Sequence, residues 1–329
     1  MVLTGPFALA APTPTPSPAV TSTVPVKPAF RPSDPRLAAP AGLVAGIVHP
    51  NIWWTIASPG GRPMLFAVDP KGRTRAAYSL TGVAGARVDA ITIVKNGAGE
   101  SGLFLGDLSR GRTGAFYLYR VAEPKTLSDA PLAVKPFKVR YPNGGGNEAS
   151  ALLADPAESR LYVITRNKKA AAVFALPGVL GPGWNALTRL RTLPFPVRGG
   201  QFTPDGRVVL KTTEDVRILG GIQEMAGQVV RTATGLAGDA FGVTSTGRRA
   251  LVVSPGVRPT FQSVALPAPN EATKPTTAAT EEVSERTTPV AYPSESGLPG
   301  GPLGTGALAG LVLLGAFGVV FYLRGRRSG

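Results

Sequence analysis

The groups in this chain that could carry chemistry are few. Among 329 residues there is one histidine, His49, and no cysteine. That composition excludes a thiolate nucleophile, a disulfide framework and a multi-histidine zinc site. A serine nucleophile needs a base beside it. His49 stands in Ile47-Val48-His49-Pro50-Asn51, where a strand ends and a turn begins. This setting suits a packing or turn residue better than a general base, and no Gly-x-Ser-x-Gly elbow occurs. The run Asn143-Gly144-Gly145-Gly146-Asn147 lacks the Gly-Lys-Ser/Thr of a phosphate loop and opens no helix, so it reads as a loop between blades. Two carboxylates remain, Asp89 and Asp107. They could face one site together, although an Asp placed as Asp107 is, directly after a strand, more commonly closes a turn.

Charge is the stronger signal. The chain carries a net +15, of which residues 1–40 hold +2, 267–304 hold −3 and 305–329 hold +3, leaving about +13 for 41–266 by difference. Arg110, Arg112, Lys168, Lys169, Arg248 and Arg249 fall at loop tips. They could attract a polyanion such as a phosphate-bearing polymer or anionic lipid head groups. They serve equally well as solvated surface charge. No interleaving of basic and aromatic residues supports nucleic acid as a partner.

The elements that must position these groups are strands. Gly (41) and Pro (33) make up about 22 % of the chain, which favours a loop-rich all-β fold. A degenerate unit recurs five times between Ala41 and Leu266: a short apolar strand, a turn of Pro, Asp, Gly or Asn, then a β-branched and aromatic strand. The second strands begin near Trp53, Leu103, Leu161, Val208 and Ala250, at intervals of 50, 58, 47 and 42 residues. Propeller blades repeat at roughly this spacing, and the apolar runs that follow supply outer strands. The expectation is an all-β, β-propeller fold of five or six blades over 41–266, closed so that its first and last strands meet.

The flanks differ in kind. Residues 1–10 end in Ala8-Leu9-Ala10 and read as the remnant of a signal peptide. Residues 11–40 contain nine prolines and read as an extended linker. Residues 267–304, rich in Thr, Pro and Glu, read as a disordered stalk. Residues 305–323 end in an uncharged run from Ala307 to Leu323, long enough at about 1.5 Å per residue to cross a bilayer core as one C-terminal transmembrane helix. Arg324, Arg326 and Arg327 in the 324–329 tail then lie in the cytoplasm, with the N-terminal side outside. The lipid bilayer is thus one expected partner. A degenerate sorting motif, Pro302-Leu303-Gly304-Thr305-Gly306, keeps sortase attachment to the cell wall as the alternative address.

Several pieces together, IWWTIASPGGRPMLFAVDPKGR, GLFLGDLSRGR, VRYPNGGGNEASALLADPAESRLYVITR and GGQFTPDGRVVLKTT, resemble a family of secreted or membrane-tethered actinobacterial propellers of WD40-like type. The resemblance implies a polar, cation-holding cluster, from which this chain departs. Asp89 and Asp107 are what remain of four acidic or amide positions, and Ser150 replaces a glutamate, with Glu148 two residues earlier. Asp89, Asp107 and Glu148 are therefore the candidate ligand residues; no catalytic residue and no cofactor is expected, and the metal is left open. The functional expectation is a non-catalytic binding or scaffolding role at the envelope, toward an anionic polymer or another envelope protein. The alternative is a propeller hydrolase for phosphates or esters with a degenerate acidic site.

Overall fold

The computed structural model describes residues 19–269, apart from 84, 97, 235, 237 and 255–257. The expected signal remnant, membrane span (Ala307 to Leu323) and basic tail lie outside the described residues, as does nearly all of the stalk. Among the described residues no helix is long and apolar enough to cross a membrane.

Two short strands come first, β1 (Val20–Val24) and β2 (Lys27–Phe30). Blade 1 follows as β3 (Ala41–Ala45), β4 (Trp53–Ala57), β5 (Met64–Val68) and β6 (Thr74–Thr81). Blade 2 comprises β7 (Ala90–Lys95), β8 (Ser101–Gly106), β9 (Ala115–Ala122) and, after the short β10 (Ala130–Ala133), β11 (Lys135–Arg140). Blade 3 has β12 (Ala149–Ala154), β13 (Leu161–Thr165), β14 (Ala171–Ala175) and, after β15 (Trp184–Ala186), β16 (Thr188–Leu193). Blade 4 is β17 (Gly199–Phe202), β18 (Val208–Lys211), β19 (Asp215–Leu219) and β20 (Ala226–Thr232). Blade 5 has β21 (Phe241–Val243), β22 (Arg249–Ser254) and β23 (Thr260–Ala265) from the end of the region, and β2 as its outermost strand. The fold is a five-bladed β-propeller. The five repeated second strands are β4, β8, β13, β18 and β22.

Why these segments become central strands is visible in their burial. Trp53–Ala57, Ser101–Gly106, Leu161–Thr165 and Val208–Lys211 are buried at every position. Each lies between two neighbouring blades, so both faces are covered and an unbroken apolar run is favoured over alternation. Five apolar cores result, one per blade interface. Trp54 and Leu105 belong to the core between blades 1 and 2, for example, and Phe30, Trp53, Phe66 and Phe261 to that between blades 5 and 1. The inner strands β3, β7, β12, β17 and β21 neighbour one another in a closed cycle.

The N-terminal segment departs from its expected role as a linker. β1 adds to blade 4, parallel to β20. β2 pairs antiparallel with β23, and the Phe30 and Phe261 rings stack with centroids 4.5 Å apart. Residues 31–40 then cross blade 1: Leu37 is fully buried and Arg36 lies 5.3 Å from the Phe66 ring centroid. The Arg31 carbonyl packs where a side chain at Gly72 (φ +80°) would stand. Closure is thus made by β2 from ahead of the 41–266 region, and β3 and β23 do not pair. Proline is tolerated in β2 because it is an outermost strand, where a missing N–H can face away from the ladder.

A rule governs the fifth strands. β10 and β15 pair in parallel with β6 and β11, the outer strands of the preceding blades, and β1, ahead of β2, does the same to blade 4. Where the last connection of a blade is short, as at 69–73 and 220–225, the preceding blade has no fifth strand. The circumference is therefore stitched by segments leading into outer strands.

Candidate functional site

Because the inner strands run in one sense around the axis, the channel has two different mouths. The residues leading into them, Pro40, Asp89, Glu148, Arg198 and Ala240, stand at the entry mouth. The exit mouth encloses a cavity of about 410 Å³ bordered by Thr92, Lys95, Gln201, Phe202 and Thr244. His49 belongs to the turn after β3, with Nε2 2.9 Å from the Pro124 carbonyl oxygen, a contact with blade 2. It is a packing residue, as its sequence setting implies.

At the entry mouth a cavity of about 530 Å³ is lined by Arg87, Asp89, Arg112, Glu148, Arg166 and Asp239, among others. Asp89 and Glu148 thus share one space. Asp107 does not: it lines an adjoining recess of about 260 Å³ with Arg87, Arg110 and Arg112.

Each carboxylate is occupied differently. Asp89 accepts from the backbone N–H of Leu108 (2.8 Å) and Ser109 (2.9 Å), fixing the 3-10 segment Leu108–Thr113 that carries Arg110 and Arg112. Burial raises its carboxyl above the ordinary value against the lowering effect of those amides. Asp107 occupies the cap position of that segment, but its side chain makes no capping bond. The turn-closing role expected of Asp107 falls to Asp89. The Asp107 side chain is almost wholly buried, with Arg110 Nε 3.4 Å from Oδ2 and no hydrogen bond on that oxygen. Burial raises this carboxyl too, with Arg110 opposing.

Glu148 is the centre of a charge ladder. Arg112 Nη2 lies 2.6 Å from Oε2 and Arg166 Nε 3.5 Å from Oε1. Arg166 Nη2 continues to Asp239 at 2.9 Å. The ladder runs from blade 2 through blade 3 to the loop entering blade 5. Its end members are mostly exposed, so each pair contributes about 0–1 kcal/mol; its main effect is to hold guanidinium groups at the mouth. Gly146 lets the 142–147 loop seat against this structure, because a Cβ there would strike the Arg112 carbonyl.

Sequence reasoning missed Arg166, Arg198, Lys211 and Asp239. Lys211, at the end of β18, is buried. Burial pushes its ammonium down to about 8; Asp239 opposes this, while Arg198 and Arg166 reinforce it. A Lys value lowered on folding means a charge carried at a cost below about pH 8, relieved as pH rises toward the ordinary value. The signal was present in the repeat: Arg198 precedes its inner strand as Asp89 and Glu148 precede theirs. Of the loop-tip cations, Arg110 and Arg112 lie at this mouth, Lys168 and Lys169 follow Arg166 in the β13–β14 turn, and Arg248 and Arg249 belong with the β21–β22 turn.

Among the described residues no group of three His, Asp or Glu side chains converges as a metal site would require. The carboxylates that line the mouth are instead interleaved with arginines. No known protein-family model matches the chain, and no curated protein matches it.

Proposed function

We propose that this chain is a membrane-anchored, extracytoplasmic five-bladed propeller that binds an anionic component of the cell envelope at its entry mouth without catalysing a reaction. The observation that carries the reading is the gathering of Arg112, Arg166, Arg198 and Lys211 there. Asp89 is held by backbone amides and Glu148 by arginines, which leaves them poorly placed to act as free bases. A basic mouth of this kind attracts polyanions at long range and retains them by paired contacts. The anchor in the proposal is the uncharged run Ala307 to Leu323 followed by Arg324, Arg326 and Arg327. Kinship with tethered actinobacterial propellers belongs to the same proposal.

Cell fractionation tests the address. Intact protein is expected in the membrane fraction, released by detergent, with the propeller open to added protease on whole cells. Recovery only after digestion of the wall polymer would favour the sortase alternative. Recovery in the cytoplasmic fraction would overturn the reading.

A further inference from the structure

Between blades 4 and 5 the entry mouth deepens into a recess of about 360 Å³, bordered by Arg198, Lys211, Thr213, Thr234 and Asp239. Lys211 is only 1 % exposed. Along β18 it follows Val209 and Leu210, which sit in the cores on either side of blade 4. Its ammonium makes no hydrogen bond with a described group. A buried ammonium is expensive unless a counter-charge and acceptors meet it.

The protein supplies little of either. Asp239, the one carboxylate acting on Lys211, has a 61 % exposed side chain and is bonded to Arg166 at 2.9 Å. Arg166 and Arg198 each bury an Nε–H without a hydrogen-bond partner. The 3.5 Å approach of Arg166 Nε to Glu148 is an ion-pair distance without hydrogen-bond alignment. Buried donors are nearly always satisfied in folded proteins. Two guanidinium donors without a hydrogen-bond partner and a buried ammonium with no bond to a described group, beside Asp239 and Glu148, make a cation-rich site.

We infer that this recess binds a phosphate monoester group, with Lys211 and Arg198 as its cationic contacts, Thr213 as a further donor and Arg166 adding positive charge from the adjoining cavity. The inference rests on the anion-binding reading of the entry mouth and narrows it to one chemical group. With the ladder included, Lys211, Arg198, Arg166 and Arg112 against Asp239 and Glu148 leave a surplus of roughly two positive charges. A phosphate monoester carries about −1.5 to −2 near neutral pH, where a carboxylate brings only −1. Its oxygens accept from several donors at once, and such charge-assisted bonds are about twice as strong as neutral ones. With a bound anion Lys211 stays protonated, so affinity falls as pH rises above about 8. Asp239, Arg198 and Arg166 are the charged groups that act on it.

Calorimetric titration of the full chain in detergent with inorganic phosphate, at about pH 7.5 and constant ionic strength, tests this. Saturable binding is expected, weakened about tenfold or more in Lys211→Met and in Arg198→Gln, and kept in Arg248→Gln at the opposite mouth. Lys211→Met is also expected to melt above the wild type, because a desolvated charge is removed. Loss of binding in that variant then cannot be assigned to misfolding. Parallel titrations with glycerol 3-phosphate and with a phosphomonoester-bearing polysaccharide distinguish a free from a polymer-borne group. No saturable heat with inorganic phosphate, or equal binding by wild type and Lys211→Met, overturns the inference. If a phosphodiester polymer binds both proteins alike while inorganic phosphate binds neither, this inference fails and the broader reading of a polyanion-binding surface stands.

Discussion

Deletion of residues 1–30 is expected to abolish the folded ring. The deletion removes β1 and β2, so β23 and β20 lose their outer partners and present open edges to solvent. The core between blades 5 and 1 loses Phe30, which stacks on the fully buried Phe261. Even the single change Phe30→Ala should cost about 3–5 kcal/mol, a large share of the roughly 5–15 kcal/mol that stabilises a typical domain. Loss of near-ultraviolet circular dichroism and elution as aggregates are the expected results for the deletion, and a lowered urea midpoint for Phe30→Ala. Because the chain has no cysteine, the pairing itself can be checked in Lys27→Cys/Ser263→Cys, whose positions face each other across β2 and β23. A folded, monomeric deletion variant would show that the ring closes some other way.

Glu123→Ala is expected to be nearly as damaging. The Glu123 carboxylate, 4 % exposed, accepts from the Ile47 N–H (3.0 Å), the Val48 N–H (2.9 Å) and the Trp54 indole N–H (2.9 Å), and from the Ser101 hydroxyl. It follows β9 and so bolts blade 2 to the β3–β4 turn of blade 1. Removing it strands four donors, at about 1–3 kcal/mol for each that water cannot reach. A net loss of about 3–5 kcal/mol is expected, in line with the breaking of other buried charged networks. Glu123→Gln keeps the shape but replaces one acceptor oxygen by a donor, and should fall between. Urea denaturation followed by tryptophan fluorescence checks the order, and an alanine variant as stable as wild type would contradict it.

The blades were legible where burial leaves a mark on composition. Segments such as Trp53–Ala57 and Leu161–Thr165 are covered on both faces, and only β-branched and aromatic runs satisfy that. The N-terminal strands β1 and β2 were not legible for the opposite reason. Val20–Val24 and Lys27–Phe30 hold their places through backbone pairing at the rim and are exposed at nearly every position, Phe30 being the buried exception. With prolines on either side they read as linker. The fifth strands escaped notice because each is defined by a partner in another blade.

The mouth was half legible. Asp89 and Glu148 were legible as what remains of the acidic cluster that the family resemblance implies, yet the structure gives them backbone and arginine partners. Lys211 closes Val208-Val209-Leu210, where a strand-ending lysine reads as a solvated end; in the fold it is buried and borders one recess with Gly238 and Asp239. Asp107 shows the converse: its position after a strand suggested a cap, and Asp89, directly ahead of the inner strand β7, performs that task.

The central claim, that the entry mouth is the anion-binding face, is tested most directly by hydrogen exchange on the full chain in detergent, with and without a phosphate-bearing wall polymer. Slowed exchange is predicted at 107–114, 147–150 and 211–215, around the amides that Asp89 fixes and the recess at Lys211. The exit-mouth segments 46–51, 154–157 and 244–248 should be unchanged. Protection confined to the exit-mouth segments, or none at either mouth, would contradict the account.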